Sequence, residues 1–343
     1  MPENSKNKTS QIDKSEINDK KTSDASAQKD SLTRNYASTQ NDSLVRNYTS
    51  VQEDMLVLYE HLRTMIQDKL EGYFKDDVRY KTLLEAMRYS LLSGGKRIRA
   101  VLCIGFCLAA GGAVENALKA ACAIEMLHAY SLIHDDLPCM DDSDERRGLP
   151  SNHIKYGEAN AVLAGDALQT AAFETLLTAN LSEITINGMI KILAKAASAH
   201  GICGGQFLDL SVEGKQITAA QLEEIHNLKT TALFIASAKL GVIAAAGSME
   251  RLKAAEEYAA SIGLAFQVRD DMLDTTATSD KLGKPTDADS RNAKVTFASY
   301  FSADECERVI KSETEKAVAA VAGRFQDTAF LTWFAGMLAE RTK

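Results

Sequence analysis

Proline is scarce, with four in 343 residues, at positions 2, 138, 150 and 285. Long stretches therefore contain nothing to interrupt a helix. Long apolar runs are missing too. The longest, Val101 to Val114, is 14 residues and holds three glycines, which is too short to span a bilayer, so no stable membrane insertion is expected. There is no Lys/Arg-rich run and the formal net charge is −8, which argues against a primarily nucleic-acid-binding protein. The six cysteines are irregularly spaced and form no CxxC pair. That is the usage of reduced thiols in a cytosolic interior, and Cys103 with Cys107, one helical turn apart, read as core packing rather than metal ligands. The start of the chain lacks the apolar core of a signal peptide, and its acidic residues argue against a transit peptide. A cytoplasmic protein is expected.

The first 50 residues are also poor in apolar side chains, at 22% against 45% for the whole chain. Such a segment cannot bury enough surface to offset its ordering entropy. It reads as a disordered polar tail (residues 1–50) in front of a catalytic-size body (residues 51–343), ample for one large core. The tail carries one repeat, DSLTRNYASTQ from Asp30 and DSLVRNYTSVQ from Asp42. Two copies cannot make a solenoid, and a slipped duplication is the simpler reading beside a short docking motif.

What is present in the body is helical spacing. Leu84, Met87 and Leu91 sit at i, i+3, i+7, and Ser93-Gly94-Gly95 stops that helix. Thr218 with Gln221, and Ser302 with Glu305, fit capping boxes. The alanine-rich stretches 159–179 and 231–246 have high helix propensity. No hairpin dipeptide stands between alternating strands. The fold class expected is all-α, one large helical bundle of about ten or more helices, since the body is far too long for a four-helix bundle.

The prolines of the body fall beside three unusual polar clusters. His134-Asp135-Asp136-Leu137-Pro138-Cys139-Met140-Asp141-Asp142, followed by Arg146 and Arg147, ends a helix of about residues 115–134. Carboxylates there face the negative end of the helix dipole and repel one another. Asp270-Asp271-Met272-Leu273-Asp274 repeats the problem at the expected end of a helix of about residues 250–274, with Gln267 on the same stripe. A solvated acidic helix end competes as the reading of either cluster alone. Two in matched context favour a hard cation on carboxylate oxygens, and an EF-hand lacks the glycine and spacing it needs. The third cluster, Gly94-Gly95-Lys96-Arg97-Ile98-Arg99, puts cations at a helix start, a conflict that a bound diphosphate resolves. Lys96 and Arg99 share a face, whereas Arg97 is expected to point elsewhere, into solvent. Lys229, Lys284 and Lys294 are further pocket cations. Spacing alone thus describes a helical pocket for magnesium and phosphorylated ligands, and names no reaction.

The segments GGKRIRA, EMLHAYSLIHDDLPCMDDSDERRG, CGGQFLDL, LKTTALF, GLAFQVRDDMLD and LGKP, in this order, resemble the short-chain trans-isoprenyl diphosphate synthases, most closely the bacterial-type farnesyl diphosphate synthases. The resemblance runs from about residue 80 to 300 and implies an all-α fold around a deep central cavity, working as a homodimer. It implies Mg²⁺ ligation chiefly by Asp135 and Asp141, with Asp136 and Asp142 supporting, and by Asp270 and Asp274 in the second motif, where Asp271 is a further catalytic residue. Lys229, Lys284 and Arg146 would hold the allylic diphosphate. Lys96, Arg99, His128 and Arg147 would hold isopentenyl diphosphate. Thr230, Gln267 and Lys294 match positions near the diphosphates or the pocket wall.

The reaction implied is ionisation of an allylic diphosphate, attack by the isopentenyl double bond and loss of a proton, in a cavity that excludes water. Tyr130 and Ser131 stand where the family sets product length, and a bulky Tyr130 resembles the farnesyl pattern; a geranylgeranyl diphosphate synthase is the alternative. Three departures are visible: Ala100 for a frequent Pro, Arg269 for Gln and Phe297 for Tyr, none of them a ligand. A class I terpene cyclase would not need the GGKRIR site, and a regulatory subunit of a hetero-oligomeric synthase would usually have lost aspartates.

Overall fold

A computed structural model describes residues 48–75, 77–281 and 296–341, without the side chains of 48–51, 274–281 and 298. The expected tail (residues 1–50), Lys284, Lys294 and the Asp274 side chain lie outside these, save for the first residues of one helix. Residues Gln52–Lys343 form one unit. Helix α1 (Tyr48–Glu71) buries Met55, Leu58, Tyr59, Leu62, Ile66 and Leu70, one stripe at i, i+3, i+4 spacing. Helix α2 (Lys81–Leu92) ends where Ser93-Gly94-Gly95 was read as a stop.

Helices α3 (Ile98–Ala109) and α4 (Val114–Asp135) come next, and α3 is apolar nearly all round because it runs through the middle of the bundle. A two-residue antiparallel hairpin, β1 (Glu145–Arg146) and β2 (Leu149–Pro150), follows the acidic loop. The chain continues as α5 (Asn152–Tyr156), α6 (Glu158–Leu177), α7 (Glu183–Ala197), α8 (Ile202–Ser211) and α9 (Ala219–His226). A π-helical turn (Asn227–Thr231) then leads into α10 (Ala232–Ala244). Helices α11 (Met249–Lys281), α12 (Ala303–Val321) and α13 (Ala329–Ala339) complete the order.

Both expected capping boxes form, Thr218 with Gln221 and Ser302 with Glu305. The all-α class holds, and Cys103 and Cys107 are buried among apolar neighbours. Two expectations need correction. The hairpin is there without the dipeptides that signal one: Arg147 and Gly148 take left-handed φ values of +58° and +74°, the backbone a tight two-residue turn requires. Helix α11 also runs to Lys281, past Asp274, because nothing in the chain breaks a helix before Gly283-Lys284-Pro285. Asp270 and Asp271 therefore sit inside a helix, not at its negative end.

Helix α10 is the hub, packing on α3, α4, α7 and α11. The second acidic cluster is backed by an apolar group formed by Leu222, Ala265, Val268, Phe297, Cys306 and Ile310.

Candidate active site

Helix α4 delivers the first aspartates. It ends at Asp135, and the following loop folds back to cap it: Asp141 N–H donates to the Asp135 carbonyl at 2.9 Å, and Ser143 N–H to the Asp136 carbonyl at 3.2 Å. These bonds satisfy carbonyls that a helix end leaves open and bring Asp141 beside Asp135. Burial pushes the Asp135 carboxyl up to about 6; Asp141 and Asp136 push the same way, while Lys229 and Arg146 oppose them. Asp136 is buried and already engaged, since Arg146 Nε lies 3.0 and 3.2 Å from its two oxygens. The hairpin makes this pairing possible by placing Arg146 beneath the helix end. On the turn, Arg147 Nη1 donates to the Gly94 carbonyl at 2.6 Å and to Ser93 Oγ at 3.2 Å.

Arg147 also explains a glycine. Gly95 has φ +110°, and a Cβ there would lie 3.0 Å from the Arg147 guanidinium carbon. The adjacent Arg97 corrects the sequence reading. It is buried, not solvated, donating to Glu125 Oε2 at 2.8 Å, Gln67 Oε1 at 2.9 Å and the Leu91 carbonyl at 2.7 Å. Its backbone is left-handed (φ +53°), so residues 96–99 do not follow one helical wheel. Tyr59 donates its hydroxyl to the Lys96 carbonyl, fixing the loop while the Lys96 side chain stays exposed.

The Arg99 guanidinium lies 4.6 Å above the Phe234 ring and 6.0 Å from that of Phe266. Burial lowers its pKa to about 10, against the opposing charges of Glu125 and Asp270, so it remains a cation at neutral pH. Its buried Nε has no hydrogen-bond partner. His128 is held neutral, well below its ordinary range, by burial and then by Arg99 and Arg147.

The π-helical turn presents Lys229 and Thr230, consistent with the frequent use of π-bulges at functional sites. Lys229 Nζ donates to Asp209 Oδ2 on α8 at 2.7 Å. Burial pulls its pKa down, but Asp209, Asp135 and Asp141 together hold it above its ordinary value. Helix α8 can pass this close only because residue 205 is glycine: a Cβ there would lie 2.2 Å from the Lys229 backbone nitrogen. Thr230 Oγ1 donates to Gln267 Oε1 at 3.1 Å, and Gln267 Nε2 donates to Asp271 Oδ1 at 2.8 Å. Asp271 is buried, accepts the Phe297 N–H at 2.8 Å and lies 3.8 Å from His226. Asp270 pairs with Arg341 beyond α13. Gln206 on α8 is buried, and neither amide atom has a partner among the described residues.

Asp135 thus lies within electrostatic reach of Asp141, Lys229 and Arg146, and His128 within reach of Arg99, Arg147 and also Arg146. Among the described residues, no three acidic, cysteine or histidine side chains converge as a ready-made metal cluster. Tyr130 is buried on α4, and Ser131 donates its hydroxyl to the His128 carbonyl at 3.0 Å. Sequence reasoning missed Asp209 and Arg341 as partners of the site; the acid of QFLDL, set in an apolar run, is a signal that could have found the first. The departure Arg269 bonds Glu307 and the Ala339 carbonyl at 2.8 Å. Phe297 stacks on His226 with ring centroids 5.4 Å apart.

The all-α bundle is that of the isoprenyl synthases. The polyprenyl synthetase family model matches residues 80–327. The chain is 43% identical to farnesyl diphosphate synthase of Escherichia coli (strain K12) over 272 residues, covering 76% of this chain and 90% of that one. It is 49% identical over 220 residues to the large subunit 1 of a heterodimeric geranylgeranyl pyrophosphate synthase, chloroplastic, of Arabidopsis thaliana, covering 62% and 59%. Among solved structures, an apo FPP/GFPP synthase from Zymomonas mobilis superposes with a TM-score of 0.75 at 30% identity, over 85% of this chain and all of that one. The chain belongs to the polyprenyl synthetase family and is a short-chain prenyltransferase of isoprenoid biosynthesis.

Proposed function

We propose that the protein is a farnesyl diphosphate synthase, condensing isopentenyl diphosphate first with dimethylallyl and then with geranyl diphosphate. The observation that carries the reading is the presence of two groups of cations: Lys229 and Arg146 beside the Asp135 carboxylate, and the half-buried Arg99 with Arg147 around His128, the Arg99 Nε being unpartnered. Two diphosphates need two such places. The donor set suits a hard divalent cation, because Asp135 and Asp141 offer carboxylate oxygens beside one another at a helix C-terminus, and burial together with the neighbouring carboxylates pushes Asp135 up to about 6 despite Lys229 and Arg146. Asp135, Asp141, Asp270 and Asp274 would hold magnesium, with Asp136 in support through Arg146, and the metal when bound neutralises charge building on the leaving diphosphate.

The chain's own groups do the rest. Lys229, Arg146 and Lys284 grip the allylic diphosphate, so its oxygen can leave with the electron pair of the C–O bond. Lys96, Arg99, Arg147 and neutral His128 hold isopentenyl diphosphate with its double bond toward the allylic carbon. That double bond forms the new C–C bond, and the proton lost next passes to the departed diphosphate. Thr230 and Gln267, which bond each other, and Lys294 are assigned to the diphosphate region or pocket wall by their match to the family's positions. Asp136 and Asp271 act through their partners, Arg146 and Gln267. Tyr130 and Ser131 bound the cavity under the first aspartates and favour a fifteen-carbon product. Similarity to geranylgeranyl synthases supports the twenty-carbon alternative.

The proposal extends to a cytoplasmic homodimer. Six free cysteines and exposed apolar side chains on α6 (Val162, Leu163) and α8 (Phe207) support it. The test is turnover of isopentenyl and dimethylallyl diphosphates by the full chain, with and without EDTA, beside Asp135→Asn. Abolition by EDTA and a loss of about 100-fold or more in the variant are expected, the scale of one transition-state charge contact. Turnover indifferent to both would reject the reading.

A further inference from the structure

The phenol of Tyr130 is anchored at its tip. Its oxygen lies 3.3 Å from Cys203 Sγ on α8, and the Gln169 side chain on α6 bonds the same hydroxyl. The ring meets His134 edge-on, with centroids 5.6 Å apart and planes at 89°, and His134 Nε2 is itself 3.0 Å from the Val162 carbonyl. Three helices therefore hold one aromatic side chain. A tyrosine has two side-chain torsions, and the hydroxyl contacts add to the packing of the ring in resisting its turning aside under pressure from a growing prenyl chain. Phenylalanine would fill the same volume without those contacts.

We propose that Cys203 is a positioning residue for product length: its thiol pins the Tyr130 hydroxyl so that the ring closes the cavity at fifteen carbons. This rests on the reading of Tyr130 as the cavity floor. Cys203 sits on the CGGQ segment, and among the described residues its side-chain hydrogen-bond partner is Tyr130. Serine at 203 keeps a hydrogen-bonding atom there, whereas alanine removes it.

The experiment compares product chain lengths from the full chain as wild type, Cys203→Ala, Cys203→Ser, Tyr130→Phe, the Cys203→Ala/Tyr130→Phe double variant and Tyr130→Ala, with a thermal melt of each. Cys203→Ala and Tyr130→Phe should each raise the twenty- to fifteen-carbon ratio by about 3- to 10-fold, the size of one net hydrogen bond. The double variant should go no further than Tyr130→Phe alone, and Cys203→Ser should lie near wild type. An unchanged ratio in Cys203→Ala, or effects that multiply in the double variant, would overturn the proposal. If Cys203→Ala does not fold, Tyr130→Phe and Cys203→Ser decide it by the same ratios. No lengthening in Tyr130→Ala would sink the cavity-floor reading instead.

Discussion

Arg97 shows what one backbone angle can do to a residue's role. Judged by helical spacing it belonged in solvent. With φ at +53° it enters the core and meets Glu125, both side chains 3% exposed. The wheel argument assumed that residues 96–99 were already helical, and the left-handed residue before Ile98 breaks that assumption. By contrast, Asp135 and Asp136 stood out in the sequence because carboxylates crowd the negative end of a helix, and Lys96 and Arg99 because cations open one; Lys229 carried no such mark and its role came only with the family resemblance. Asp209 left no such trace, being one acid among apolar neighbours. A buried charge stripped of its partner is strongly destabilising, so Arg97→Met should lower unfolding stability by about 3–5 kcal/mol in urea titration. The Arg97→Met/Glu125→Leu double variant should recover much of the loss. A change below about 1 kcal/mol in the single variant would mean that Glu125 is not left uncompensated.

At the scale of elements, the sequence carried the helices well and their irregularities badly. Caps and stops are local chemistry, and both capping boxes and the Ser93-Gly94-Gly95 stop appear as read. The π-helical turn at Asn227–Thr231 differs from an α-helix by the bonding of a few residues and has no compositional mark. The hairpin is only two residues per strand and turns on Arg-Gly rather than Asn-Gly. Both features matter, since one presents Lys229 and the other carries Arg146 and Arg147. Gly205→Ala tests the first: its Cβ would collide with the Lys229 backbone and push the turn out of place. A fall of about 10- to 100-fold in kcat is expected, as for a catalytic group displaced by about 1 Å, with helical circular dichroism retained. Wild-type kcat would show that the turn tolerates displacement.

For the whole molecule, the fold class followed from the near absence of helix breakers and the lack of alternating strand pattern; the arrangement around α10 did not, because packing partners distant in sequence leave no periodic signal. The exposed Val162 and Leu163 on α6 bear on assembly. Light scattering after gel filtration should give the mass of two chains, falling to one in Val162→Asp/Leu163→Asp, and a wild-type monomer would refute the dimer. The most direct measurement is the chain length of the product that the purified wild-type protein makes from dimethylallyl and isopentenyl diphosphates with Mg²⁺. Farnesyl diphosphate as the main end product is expected from a pocket closed by Tyr130; geranylgeranyl diphosphate as the main product would contradict it.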